Sequence, residues 1–258
     1  MNCVKRLLCA ALIAATMLPC GAYAVTEMPG KSENLPEGIQ EANIPWKSGE
    51  TLSTEMQNAK AEWKIAKSQN CKNSILLYYP TQGQADADGM LYCRQDKKGG
   101  PFQIIEAMPF LYDPSITEDV DDSEPLNEGW TDKKVKNGKQ YRYRLFFVKE
   151  DGTYSASNII KITRLSTPKI TRVDTKNKKK GKVSWKKNSK ADGYQIKISR
   201  YKSMMDSRTY TVSSAKKTSL TLSQLKPNKK YYVQVRSFVK ENHKKTYSAK
   251  SDLATVKT

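Results

Sequence analysis

The chain has 258 residues, of which 45 are Lys or Arg, 26 are Asp or Glu and only 38% are hydrophobic, for a formal net charge of +19. That length holds two ordinary domains plus unstructured ends, and so polar a composition argues against a large apolar enzyme core and for thin β-sandwiches. The charge is uneven: from Leu165 onward 25 basic residues stand against 5 acidic ones, whereas from Val25 to Arg164 there are 18 against 21. The C-terminal half is therefore the one suited to a polyanion.

The N-terminus reads as an export signal. Lys5 and Arg6 form a charged start, residues 7–18 an apolar run, and Ala22-Tyr23-Ala24 a small-x-small cleavage site before Val25. The apolar run is too short to span a bilayer, and no later stretch has about 18 apolar residues, so no transmembrane segment is expected after cleavage. Cys20 offers a lipid-anchor alternative, but Leu18-Pro19 before it lacks the small residue that lipidation expects. A secreted, extracellular, surface-associated protein is the reading. Cleavage would leave Cys71 and Cys93, enough for one disulfide or two thiols, with Cys93 expected to face outward from its sheet.

Residues 25–60, rich in Glu, Gly, Pro and Asn at their start, read as a flexible spacer. Within them and just beyond, Leu52, Met56, Ala59, Trp63 and Ala66 recur at helical spacing behind Ser53, a good N-cap, so a short helix running into a strand is expected. Strands are expected next at residues 74–79, 89–94 and 101–105, the last two joined by a Lys-Lys-Gly-Gly turn. Residues 106–129 break the pattern with acids and prolines and read as an inserted acidic loop. Alternation returns with Tyr141-Arg-Tyr143-Arg-Leu145, and Glu150-Asp-Gly152 turns the chain into a strand over 157–163.

After the junction Ser166-Thr-Pro168 the design repeats. Ala87-Asp-Gly-Met-Leu-Tyr92 corresponds to Ala191-Asp-Gly-Tyr-Gln-Ile196, and Tyr141-Arg-Tyr-Arg-Leu to Tyr231-Tyr-Val-Gln-Val. Leu225, Pro227 and Tyr231 have the spacing of a tyrosine corner, in which a hydroxyl pins a strand connection. The fold class expected is all-β: two tandem β-sandwiches, at residues 61–165 and 166–258, behind a signal peptide (1–24) and the spacer (25–60).

The second copy resembles a bacterial fibronectin type III domain of exported, cell-surface proteins. The matching residues are Pro168-Lys-Ile-Thr, Gly181-Lys-Val-Ser-Trp185, Ala191-Asp-Gly-Tyr-Gln-Ile196, residues 218–225 and Tyr231-Tyr-Val-Gln-Val-Arg. The first copy resembles the same immunoglobulin-like family, with Tyr79 where the family's core Trp would stand. The resemblance implies a spacer or a ligand- or partner-binding module of Gram-positive surfaces, carbohydrate binding and adhesion included, and not a catalyst.

The residues agree with that. The single histidine, His243, sits in a polar loop, and zinc, phosphate-loop and nucleophile-elbow motifs are missing. No catalytic residue, cofactor or metal site is expected. Asp113, Glu118, Asp119, Asp121, Asp122 and Glu124 could gather calcium but lack regular spacing, and Gln84-Ala-Asp86-Ala-Asp88-Gly89 has Gln95 where a bidentate Glu should be. Trp185, Tyr194, Tyr231, Tyr141 and Tyr143 fall at core positions and not on a sugar platform.

There remains the basic run Lys176, Lys178, Lys179, Lys180, Lys182, Lys186, Lys187 and Lys190, assigned to polyanion binding. Lys216, Lys217, Lys229, Lys230, Lys244 and Lys245 lie in loops. Lysine over arginine suits diffuse attraction more than bidentate recognition, so the expected partners are cell-wall polyanions, acidic glycans or a protein, and not a specific nucleic-acid sequence. A monomer is expected. An accessory module working beside a separate wall or polysaccharide hydrolase is the alternative.

Overall fold

The computed structural model describes residues 38–80, 86–112, 127–177, 179–241 and 244–258, apart from the side chains of Tyr112, Asn127, Glu128 and Lys176. The export segment, most of the acidic loop, Gln84, Lys178 and His243 lie outside the described residues. The chain forms two compact units. One comprises residues up to Ser68 with Leu76–Thr131 and Tyr141–Lys161, and the other Gln69–Ile75, Asp132–Gln140 and Ile162–Thr258.

Almost all the regular structure is strand. The first half carries β1 (Gln40–Glu41), α1 (Thr54–Asn58), β2 (Lys67–Asn70), β3 (Ile75–Pro80), β4 (Gly89–Gln95) and β5 (Gln103–Pro109). It continues with β6 (Leu111–Tyr112), β7 (Asn127–Asp132), β8 (Gln140–Val148), β9 (Tyr154–Ala156) and β10 (Ile160–Thr163). The strands make a sheet ordered β10-β8-β4-β5 with β9 also on β8, a second ordered β2-β3-β7, and the small pair β1-β6. Strand β5 runs on through Glu106–Pro109, four residues into the expected acidic insertion, because residues 89–92 of β4 continue to pair with it.

Strand β4 is buried along nearly its whole length, and so is most of β8. Burial on both faces removes the polar alternation that a one-sided strand shows. On one face Tyr92 meets the Tyr79 hydroxyl at 2.7 Å and stacks on Trp130, ring centroids 4.6 Å apart. On the other face Leu91, Cys93, Phe146 and Val148 are covered by Ile44, Leu52 and Met56.

This covering corrects two expectations. Among the described residues, 38–60 are not a spacer: Ala42, Ile44, Leu52 and Met56 are buried, and the Gly49 and Leu52 N–H groups donate to the Ile104 and Phe102 carbonyls. Cys93, expected to face outward, does leave the Tyr92 face but is fully buried beneath that segment. Burial pushes its thiol far up from the ordinary cysteine range, a rise only partly opposed by the Arg144 guanidinium. No disulfide joins it to Cys71.

The helix forms as its sequence implies, with the Ser53 hydroxyl accepting from the Met56 N–H at 3.2 Å. Its far end is closed by a buried cation. Arg144 donates to the Met56 and Gln57 carbonyls at 3.2 and 2.9 Å and also to that of Ala59. Apart from the Ala59 N–H, which reaches the Met56 carbonyl at 3.3 Å, the end of so short a helix lacks backbone donors, and the guanidinium offsets its own burial by supplying them.

The second unit contains β11 (Ile170–Asn177), β12 (Lys180–Trp185), β13 (Gly193–Ser199), β14 (Arg208–Val212) and β15 (Ser219–Leu222). It ends with β16 (Lys230–Glu241), β17 (Lys244–Tyr247) and β18 (Ala254–Lys257). One sheet is ordered β11-β12-β15 and the other β14-β13-β16-β17, with β18 also on β16. Val183, Trp185 and Leu222 from the first meet Tyr194, Ile196, Val233 and Val235 from the second in one core, which makes the unit a sandwich. The Tyr231 hydroxyl accepts from the Lys226 N–H at 2.8 Å, closing the tyrosine corner.

Unit 2 begins at Ile162, ahead of the expected junction, and takes in two upstream pieces. Asn70 accounts for part of this. Its amide donates to the Thr163 and Tyr247 carbonyls at 2.9 and 3.1 Å and accepts from the Leu165 N–H at 3.0 Å. Asn137 likewise donates to the buried Asn188 at 3.1 Å, and Gln140 to Glu241 at 2.9 Å.

The Asp-Gly pairs have the same structural role in both halves. Asp88 accepts from the Glu150 N–H at 2.9 Å, and Asp192 from the Lys240 N–H at 2.7 Å. Each carboxylate holds a strand entry together and is engaged by backbone.

Candidate functional site

The lysine run is built on the β11–β12 hairpin and the segment beyond β12. Along β12, Gly181, Val183 and Trp185 turn inward while Lys180, Lys182 and Ser184 turn out, the period-two alternation of a half-buried strand. Lys182 sits across from Asp174, whose carboxylate is already paired with Arg172 at 2.6 Å. Lys179 and Lys180 are exposed at the hairpin, and Lys186, Lys187 and Lys190 are exposed beyond the other end of β12.

The eight predicted residues therefore do not make one patch. Six residue steps along β12 take the chain from Lys180 to Lys186, about 20 Å at about 3.3 Å per residue. Lys190 has its stem against Gly138, whose absent Cβ would fall 2.4 Å from the lysine Cγ. Between Lys187 and Lys190, Asn188 is buried and held by Ser166 and Ser237. Of the eight, Lys178 and the Lys176 side chain are outside the described residues.

The structure gathers Lys179 of that run with cations from outside it. The Leu225 N–H donates to the Lys179 carbonyl at 3.0 Å, which sets the β15–β16 loop beside the β11–β12 hairpin. The Thr258 hydroxyl donates to the Lys226 carbonyl at 2.7 Å and accepts from the Lys229 N–H at 3.3 Å. Lys230 pairs across from Lys257. Lys179, Lys226, Lys229, Lys230 and Lys257 thus share one end of the unit, all exposed. Successive connections of antiparallel strands alternate between ends, and that parity in the strand count is the signal that could have grouped them.

Residues 166–253 match the family model described as the fibronectin type III domain. This stretch is a fibronectin type III domain. Among solved structures, the FN1–FN3 domains of chicken CNTN1 are similar over 78% of this chain and 68% of theirs, at 15% identity and a TM-score of 0.34. A two-domain fibronectin type III segment of chicken tenascin is similar over 77% of this chain and 98% of its own, at 16% identity and a TM-score of 0.34. A structure titled as a myokine covers 36% of this chain and 96% of its own, at 22% identity and a TM-score of 0.31. No curated protein matches the chain.

In the fibronectin type III domain the expected core aromatics are in the core: Trp185 and Tyr194 pack with centroids 5.2 Å apart, and Tyr231 is buried. Tyr141 and Tyr143 are equally buried in their own strand. Arg236 is a structural cation. It lies over the Tyr247 ring at 3.7 Å, donates to Gln195 at 2.8 Å, and burial lowers its pKa.

Outside the fibronectin type III domain, Thr54, Glu55, Asn58, Lys60, Glu62 and Tyr154 line a shallow depression. Its two carboxylates are exposed, and Glu55 accepts from the Tyr154 hydroxyl at 3.2 Å. Desolvation and the bond to Glu55 push the Tyr154 hydroxyl above the ordinary tyrosine range. Among the described residues no group of three His, Cys, Asp or Glu could hold a metal ion.

Proposed function

We propose that the chain is a non-catalytic, exported, surface-associated protein whose fibronectin type III domain holds a cationic surface toward acidic polymers of a cell envelope. One observation carries the reading: the strands and loops of this domain leave Lys179, Lys180, Lys226, Lys229, Lys230 and Lys257 exposed, with no carboxylate side chain in the β11–β12 hairpin turn or the β15–β16 loop that carry most of them. Lysines of this kind attract diffuse negative charge, because each ammonium is a compact point charge on a flexible stem. Residues 5–24 support export, through their charged start, apolar run and small-residue cleavage site.

The first unit is read as a second fibronectin type III-like module, supported by the Asp-Gly strand entry it shares with the second. Rigid sandwiches of this class present loops and project partners, and wall polyanions and acidic glycans fit the charge.

Retention of the full chain on immobilised lipid-free teichoic acid, measured across salt, tests the reading. Retention near 50 mM salt and release near 1 M are expected, because screening shortens the Debye length from over 10 Å to about 3 Å. Absence of retention at low salt overturns it.

A further inference from the structure

The lysine end of unit 2 has a third loop, and that loop is not simply charged. The β11–β12 turn, the β13–β14 loop and the β15–β16 loop all fall at this end. Arg208 marks the join: at the start of β14, its guanidinium donates to the Ser223 carbonyl at 3.4 Å. Ser199, at the other side of the loop, pairs with Tyr232 beside Lys230. The loop adds exposed Arg200 and Lys202 to the lysines already there, and Asp206 is the one carboxylate side chain that these three connections carry.

Two features separate this end from an ordinary solubilising surface. Among the described residues only four large hydrophobic side chains are exposed, and two of them stand in this loop: Tyr201 at 49% and Met205 at 62%. Further, the four non-glycine residues with positive φ among the described residues are Met204 (63°), Asp206 (48°), Gln224 (56°) and Asn228 (56°), all in the loops of this end. Left-handed backbone is costly for residues such as Met and Gln and persists only where surroundings hold it. Here the Ser199 hydroxyl donates to the Met205 carbonyl and accepts from the Tyr201 N–H at 3.0 Å, so the tip is preorganised.

We propose that this end of the unit docks on an anionic lipid surface, with Tyr201 and Met205 entering the headgroup layer and the surrounding cations facing the phosphates. Such docking rests on the cationic reading above and adds an apolar contact that a phosphate or sulfate polymer has no layer to receive. Tyr and basic side chains are suited to that boundary, since each carries an apolar body and a polar tip. Membrane attraction from several lysines is weak singly and cumulative together.

The full chain would be floated with vesicles of phosphatidylglycerol and phosphatidylcholine, or of phosphatidylcholine alone, beside the teichoic-acid assay. Binding to the anionic vesicles only is expected. The Y201S/M205S variant, altered at exposed positions, should lose about tenfold in vesicle affinity and keep its affinity for the soluble polymer. The K226Q/K229Q/K230Q variant should lose about a hundredfold on vesicles, at about fivefold per cation near the surface. Equal vesicle binding by Y201S/M205S and the unaltered chain overturns the apolar contact and leaves polymer-like charge attraction. Polymer retention without vesicle binding overturns lipid docking but not the polyanion reading. Vesicle binding without polymer retention overturns the polyanion reading and keeps the docking.

Discussion

Gly193 carries no side chain because nothing would fit. A Cβ there would come within 2.2 Å of the Val212 carbonyl oxygen and 2.8 Å of Phe238 Cζ, and the backbone neighbour cannot swing aside. Gly89 meets the same limit at the Met108 carbonyl, 2.8 Å away. The aspartates before them are used by backbone N–H groups, which explains the repeated Asp-Gly without a cation. Gly193→Ala is therefore expected to destabilise the fibronectin type III domain by about 1–3 kcal/mol, the usual range for overpacking. Urea unfolding of the variant checks this, and an unchanged midpoint would mean that β13 and β14 separate more easily than their register suggests.

At the scale of elements, the segment ahead of β2 decides the character of the first unit. It contributes little regular structure, a two-residue strand and a five-residue helix. Yet its Ile44, Leu52 and Met56 turn the outer face of β4 and β8 into a second core layer. A chain shortened to begin at residue 61 would expose Leu91, Phe146 and Val148 and strip Arg144, on the same face, of the carbonyls it caps. Each large apolar side chain returned to water costs about 1.5–3 kcal/mol, so first-unit unfolding at markedly lower temperature is expected, together with binding of a hydrophobic dye. Calorimetry on the shortened and full chains would show it, and matching transitions would return the segment to the role of spacer.

At the scale of the whole chain, unit 2 is assembled from three separate stretches and is held by polar contacts between residues far apart in sequence. Asn70 serves Thr163, Leu165 and Tyr247, residues that lie 93, 95 and 177 positions away. Asn70→Ala would orphan the buried Leu165 N–H and two carbonyls, at about 1–3 kcal/mol for a buried group left unsatisfied. A lowered unfolding midpoint of the unit carrying Trp185 is the expected result in denaturant titrations. The same long-range assembly explains why unit 2 starts at Ile162 and why a piece beginning at residue 166 would lack Asn70, Asn137 and Gln140.

The all-β class, several strand positions and the tyrosine corner were legible in the sequence because each rests on local order: period-two alternation, turn residues, a fixed spacing. Tyr231 could be placed in a corner from Leu225 and Pro227 alone. Cys93 could be placed on the outer side of its strand, but not beneath a covering, since the residues that cover it have no periodicity to announce them. The candidate site shows the same division. The excess of lysine was countable in the chain, whereas its sorting was not: Lys180 and Lys186 are neighbours in sequence and stand at opposite ends of β12. Lys179, Lys226 and Lys257 are far apart in sequence and share one end. Which cations lie together depends on strand pairing, a long-range property that only the tertiary structure decides, while their number and sign belong to the sequence by itself.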